Sequence, residues 1–334
     1  MALDRGVRAE ASEAIDELIE AAAADDHETS RDVKRLETRY DAQSRPELTL
    51  SINQLFQTTQ TPLGGDTFTL AERLYSGTID ESYRIFADYR LATVILPEGR
   101  ETDHHAGIGI DFTGYDAGAS LELTEDLYPR THIGGKATVS WAADDSWRLA
   151  ADAQIFSDDT PLRALKHDIT ADSVSLRATY SASDLQTYTL SSELLTMSDG
   201  NFRASVDLSS HQRLLTTPTF TLDIVPELYT SGNTRTNAPY YNPSRDFEGA
   251  IGLDAVQILY RRYDFVYLHH LAFVPGYYWE RGFSGLPVLT LIYEQRLKLS
   301  DDWSGAVGVR LAEHPYDGTQ EDSVAVFANM DWRF

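Results

Sequence analysis

From Pro46 to Phe334, apolar and polar side chains alternate with a period of two, interrupted at intervals by Gly, Asp, Asn, Ser or Pro. The segment SVAVFANMDWRF shows the rule. Val324, Val326, Ala328, Met330, Trp332 and Phe334 fall on one side of an extended strand, and Ala325, Phe327, Asn329, Asp331 and Arg333 on the other. A helix would mix the two sets, and a parallel strand buried on both faces would not carry Asp and Arg at alternate positions. About sixteen such segments of roughly 8 to 14 residues follow one another, a length that crosses a bilayer at a tilt. Among the clearest are LTLSIN, YRIFADYRL, HAGIGIDF, FRASVDLS, FTLDIVPEL, FEGAIGLDAVQIL and YDFVYLHHLAF; residues 67–75, 120–127 and 186–194 are less regular.

Residues 4–43 follow a different period. ASEAIDELIEAAAADD places Ala14, Ile15, Leu18, Ile19 and Ala22 at helical spacing, and SRDVKRLETRYDAQ repeats the pattern with Val33, Leu36 and Tyr40, Ser30 and Asp32 serving as caps. A lone helical hairpin buries little, so it reads as the end of a helical array. The chain therefore divides into a helical part, residues 1–45, and an all-β part, residues 46–334.

The connectors alternate too. Those on the side where the chain enters the sheet are short: DAGA, AADDSW, SASD, YRRYD and SDDW. The opposite set holds the long ones: PEGRETDH, SDDTPLRALKHDITAD, YTSGNTRTNAPYYNPSRD, YYWERGFSGLP and AEHPYDGTQED. Short turns on one rim and long loops on the other is the pattern of an antiparallel transmembrane β-barrel of the outer membrane. Aromatic residues agree, since Tyr and Trp favour the two membrane interfaces. Tyr263, Phe265, Tyr267, Phe273, Tyr277 and Trp279 share one parity, and Trp141, Trp147, Trp303 and Ile133 stand near segment ends. A soluble sandwich or lectin-like module would also alternate, but would turn its apolar faces inward.

Composition narrows the function. The 334 residues carry a formal charge of −24, so no basic excess exists to displace phosphate counterions, and a nucleic-acid partner is excluded. Cysteine is absent, which excludes disulfides and thiolate metal sites. No apolar run is long enough for a transmembrane helix, a statement that does not touch a barrel. No signal-peptide pattern opens the chain, so it reads as cytosolic or as a processed piece of an exported protein.

If the apolar parity meets lipid, the other parity lines a lumen of mixed sign and modest acidity. Its acids include Asp88, Glu122, Glu193, Asp207, Asp223, Glu227, Glu248, Asp254, Asp264, Glu294 and Asp331; its bases include Arg84, Lys136, Arg203, Arg296 and Arg333. Most such charges pair across strands, and only unpaired acids make a ligand path. Asp223, Glu227, Glu248 and Asp254 lie on two adjacent segments with little intervening base, and are the best candidates for such a path, with Asp264, Glu294 and Asp331 as further pore-lining acids.

The passage DVKRLETRYDAQSRPELTLSI, then APYYNPSRDFE, then EHPYDGTQED, and a final strand ending MDWRF resemble the export porins for poly-β-1,6-N-acetyl-D-glucosamine (PNAG) of biofilm-forming Gram-negative bacteria. The resemblance covers nearly the whole chain. It implies a periplasmic tetratricopeptide-repeat (TPR) domain, of which residues 1–45 would be the last hairpin, followed by a sixteen-stranded antiparallel outer-membrane barrel. Such a barrel passes the partly de-N-acetylated polymer from periplasm to cell surface. It also implies a periplasmic deacetylase as partner, through repeats that this sequence mostly lacks, and places the N-terminal helices and the C-terminus in the periplasm. An acidic lumen suits an ammonium-bearing polymer. Tyr240, Tyr241, Tyr316 and Asp317, in outer loops, would contact the emerging sugar; the competing reading makes them turn residues packed over the mouth.

Catalysis finds little support. Ser284 in GFSGLP is not in a Gly-x-Ser-x-Gly elbow, and His270 is its sole candidate base. His104–His105 and His269–His270 are adjacent pairs pointing to opposite faces. No phosphate loop, zinc motif or calcium loop is present, so no cofactor or metal is expected. An outer-membrane acyl or lipid hydrolase and a general diffusion porin remain as alternatives.

Overall fold

A computed structural model describes residues 44–57, 65–127 and 131–334; the expected helical hairpin of residues 4–43 lies outside them. Sixteen strands close into one antiparallel barrel: β1 (Glu47–Gln57), β2 (Asp66–Tyr75), β3 (Tyr83–Leu96), β4 (Gly99–Thr113), β5 (Ala117–Asp126), β6 (Ile133–Ala142), β7 (Trp147–Ile155) and β8 (Ala171–Ser183), then β9 (Gln186–Met197), β10 (Phe202–Thr216), β11 (Phe220–Asn233), β12 (Asp246–Arg262), β13 (Phe265–Glu280), β14 (Leu286–Lys298), β15 (Trp303–Tyr316) and β16 (Thr319–Arg333). Each strand pairs with its sequence neighbours, and β1 pairs with β16 from Glu47 opposite Arg333 to Gln57 opposite Ser323. No edge is left unpaired, which answers the main hazard of a large antiparallel sheet.

The alternation read from sequence sorts cleanly into outside and inside. Ile108, Leu121, Leu123, Ile251 and Val307 project outward, with Leu123 67% exposed, and their parity carries almost no charge. A charge there would cost about 2–4 kcal/mol at the bilayer midplane. Aromatic pairs ring the short-turn rim: Trp147 with Tyr180 at 4.7 Å, Tyr260 with Phe265 at 5.6 Å and Trp332 with Phe334 at 5.0 Å. Phe247 and Trp279, paired across β12 and β13, stand at the other end. This band of apolar residues on the outside overturns the sandwich alternative.

Inside, large side chains lie over glycines of the neighbouring strand. Phe86 on β3 covers Gly109 on β4, and Phe327 on β16 covers Gly308 on β15; a Cβ added at either glycine would sit 2.2 or 2.3 Å from the ring. The guanidinium of Arg73 in turn stacks on Phe86 at 4.2 Å, close enough for a cation–π contact.

The rims are less unequal than the sequence suggests. Short turns such as residues 184–185, 217–219 and 263–264 line one rim as expected, but three of the five expected long loops turn out to be mostly strand. PEGRETDH turns at Pro97 and Glu98, and AEHPYDGTQED at Asp317 and Gly318, whose φ of 49° and 73° fit a primed hairpin turn. YYWERGFSGLP keeps only residues 281–285 outside the ladder. Extended pairing satisfies backbone groups that a loop would leave to water, so these hairpins project beyond the apolar band. Two long connectors remain, residues 156–170 and 234–245.

Both long connectors fold over the mouth. Residues 156–170 carry a short helix α1 (Leu162–Lys166), whose Ala164 is fully buried in a cluster with Ala171, Leu195, Met197 and Tyr240. From there α1 reaches the far wall, where the Arg163 guanidinium donates to Glu98 at 2.7 Å and the Lys166 ammonium to the Arg100 carbonyl at 3.1 Å. Arg90 pairs with Asp158 at 2.6 Å. The strap thus spans the opening and is pinned on both sides.

Candidate functional site

Of the seven acids expected to line the pore, Asp223, Glu227, Glu248, Asp254, Glu294 and Asp331 share the inward parity of their strands. Asp264 does not belong to the wall. It lies with Tyr263 in the two-residue turn between β12 and β13, where Tyr263 takes a φ of 55°. Continuing the parity of β13 by one residue placed it in the lumen; the turn takes it to the rim.

Most of the expected cluster is neutralised in place. Asp223 and Asp254 stand directly opposite each other on β11 and β12, but Asp223 holds Arg213, and Asp254 accepts a hydrogen bond from His270 Nε2 at 2.7 Å. His270 Nδ1 lies 3.1 Å from Glu294, which also binds Arg296. Glu248 pairs with His314 at 3.2 Å, and Asp331 accepts from Ser304 at 3.1 Å. Among the described residues no ion pair closes on Glu227, nor on two other inward acids, Glu193 and Asp207. Glu193 on β9, Asp207 on β10, Glu227 on β11 and Glu248 on β12 therefore form a stripe across four consecutive strands. The titratable neighbours of Glu227 are Asp207, Glu248 and His211. Bases stand on both sides of the lumen. Arg73 across from the stripe binds Glu122 at 2.7 Å; Lys136, 3.8 Å from Asp152, lines one recess with Glu193 and Asp207; and Arg203 and Arg177 are charged neighbours of Glu193 and Asp207 respectively.

Arg213 went unread in sequence because β10 runs on to Thr216, past a bulge at Leu214 that turns two successive leucines outward and breaks the alternation. Inward parity alone finds Glu193 and Asp207; their lack of partners follows from strand register, which sequence does not show.

At the mouth the structure gathers three of the four expected loop residues. Tyr240, Tyr241 and Tyr316 line a groove of 280 Å³ between α1 and the inner faces of β1, β2, β3 and β16. Tyr240 is 3% exposed and donates to Asp199 at 3.2 Å, and burial pushes its hydroxyl up to about 12. Burial also raises the Tyr241 hydroxyl, helped by the Tyr278 hydroxyl 2.6 Å away and by Glu280. Tyr278 donates to Asp246 at 3.0 Å, which leaves Tyr241 as the donor toward Tyr278 or Glu280. Tyr241 meets Tyr316 edge-on at 5.0 Å; Tyr316 meets His314 at 4.7 Å, and His314 meets Tyr278 at 4.5 Å, both with tilted rings. Since His314 holds Glu248, an aromatic ladder leads from the groove down to the acidic stripe. Asp317 serves the hairpin turn, its backbone N–H donating to Glu280 at 3.1 Å.

Two histidine clusters bear on other chemistries. His270 sits in mid-wall with both ring nitrogens engaged, whereas Ser284 lies in the 281–285 turn; ten residues of strand ladder separate their levels, about 30 Å. They form no nucleophile–base pair. His105, buried near the mouth, has Asp103 at 2.6 Å from Nε2 and Asp126 at 2.9 Å from Nδ1. The two carboxylates thus take opposite edges of the ring, an arrangement that fixes the ring to the wall rather than converging ligands on one ion.

A family model described as the PgaA membrane beta barrel domain matches residues 42–334. Over 303 residues the chain is 25% identical to the poly-beta-1,6-N-acetyl-D-glucosamine export protein of Escherichia coli strain K12, and likewise to that of Escherichia coli O157:H7. The match covers 90% of this chain and 38% of each relative, so the chain spans about two-fifths of the length of these curated relatives. Among solved structures, a bacterial polysaccharide outer membrane secretin superposes with a TM-score of 0.82 at 23% identity, over 87% of this chain and 99% of that one, a likeness of fold.

Proposed function

This chain belongs to the PgaA membrane β-barrel family, and on that premise we propose that it forms the outer-membrane passage through which PNAG leaves the cell. The polymer is partly de-N-acetylated and therefore carries ammonium groups. The observation that carries this reading is the stripe of Glu193, Asp207, Glu227 and Glu248, three of them without an ion-pair partner among the described residues. Fixed carboxylates on a wall shielded from bulk water attract a cation from a distance and raise its local concentration. Spacing them over four strands gives a long polymer several shallow contacts in place of one deep site, which lets it enter and still leave.

The short-turn rim, where β1 begins and β16 ends, faces the periplasm in this reading, and the strap and hairpins face outward. Residues 1–45 are then the last helical hairpin of a periplasmic TPR region, the part that would meet a deacetylase. Polymer passage requires positioning and electrostatics but no bond making. No enzymatic role is assigned to the wall.

Binding of a de-N-acetylated β-1,6-glucosamine oligomer to the refolded chain in detergent tests the proposal. Asp207→Asn with Glu227→Gln is expected to weaken binding about three- to tenfold at low salt, and the difference is expected to disappear near 1 M salt, where the screening length falls to about 3 Å. Equal affinity of wild type and double variant at low salt would refute the role of the stripe.

A further inference from the structure

The lumen holds a second surface of different chemistry from the stripe. At the mouth groove, Leu55, Val94 and Leu96 of the wall and Leu162 of α1 face Tyr241 and Tyr316. Val94 and Leu96 are buried, and Leu55 and Leu162 are partly covered. Among the described residues, the charged side chains lining the groove are Arg163, held by Glu98, and Glu321, which accepts from Gln57 at 3.4 Å. An ammonium placed here would give up water for aliphatic carbon and find its one anion already engaged. An acetamido group suits the same surface: its methyl would lie against the leucines and valine, with the Gln57 carboxamide and Thr67 hydroxyl at the edge to meet its amide.

Size and position agree. The 280 Å³ groove is near the lower end of small-molecule sites, about 300 Å³, as suits one sugar unit of a longer chain. Tyrosine rings supply flat apolar faces for a pyranose, and the Tyr316–His314–Tyr278 ladder leads from the groove to Glu248, so consecutive units of one chain can occupy both regions. Resting on the export reading above, we infer that the mouth groove is a subsite for N-acetylated units, selecting the acetyl methyl, while the stripe below takes the de-N-acetylated units. The two surfaces together read a polymer of mixed acetylation, and neither alone would hold a mixed chain along its length.

Two probes of equal length separate the possibilities: a fully N-acetylated β-1,6-glucosamine oligomer and its fully de-N-acetylated counterpart, each titrated into the refolded 334-residue chain in detergent. Leu96→Asn places a polar group under the proposed methyl position, and Leu162→Ser does so from the strap without touching the barrel wall. Each is expected to weaken the acetylated oligomer about tenfold, the scale on which apolar pockets discriminate small groups, and to leave the de-N-acetylated oligomer within about twofold. Heat-modifiable gel migration verifies that each variant is folded. Equal losses for both oligomers, no loss for either, or a wild-type chain that binds only the de-N-acetylated oligomer overturns the inference and leaves the export reading standing. A wild-type chain that binds neither oligomer overturns both.

Discussion

Glu98 and Arg163 form one of the ion pairs that hold the strap over the mouth. Partial burial works against the Glu98 charge, but its own backbone N–H and the Arg163 guanidinium more than offset this and hold the carboxyl below the usual carboxylate range. A carboxyl lowered in the folded state contributes stability above its unfolded pKa and loses it as pH falls through the lowered value. Hydrogen exchange in residues 156–170, corrected for intrinsic rate, is therefore expected to accelerate only in acid below the ordinary carboxylate range. Arg163→Ala is expected to produce the same acceleration at neutral pH, about three- to fivefold, since such pairs are worth up to about 1 kcal/mol. Protection that is unchanged in both cases would show that the buried cluster around Ala164 holds the strap alone. Individual charges were the least legible part of the sequence. Inward parity found Glu227 and Asp223 alike, but whether each keeps a free charge depends on Arg213, which is brought beside Asp223 by a register that only the folded ladder fixes.

Between strands, the sequence was most informative where a rule of alternation operates. Outward and inward faces were legible for nearly every strand because lipid tolerates no charge on one parity, whereas turns were misjudged where charged residues continue an extended hairpin, as around Glu98 and Asp317. The glycine pockets beneath aromatic rings were invisible for another reason: a glycine in a strand reads as a weak spot until its cross-strand partner is known. Gly109 makes the point. Its missing Cβ is the space occupied by Phe86, which is 1% exposed and supports Arg73. Gly109→Val is expected to displace the ring and destabilise the barrel by about 1–3 kcal/mol, seen as a lower temperature for conversion to the slow-migrating form on gels. Gly135→Val, where the nearest non-neighbouring atom is a backbone oxygen at 3.2 Å and no ring intervenes, serves as comparison and is expected to cost less.

Closure of the whole sheet depends on the seam between β1 and β16. Glu47, 8% exposed, receives Arg333 from β16 at 3.1 Å and Arg84 from β3 at 3.0 Å, so one carboxylate joins strands on both sides of the seam. Glu47→Ala leaves two guanidinium groups facing each other and is expected to cost about 3 kcal/mol, measurable as a lower midpoint in urea unfolding from detergent. An unchanged midpoint would mean that solvent in the lumen replaces the carboxylate. The seam also sets the order of events during assembly. Every other strand pair joins near neighbours in the chain, but β1 and β16 are separated by more than 260 residues, so their pairing is the one contact that has no local route. The barrel is therefore an open, two-edged sheet for as long as its last strand is missing. Any factor that delays or occupies β16 controls when the open sheet becomes a closed barrel.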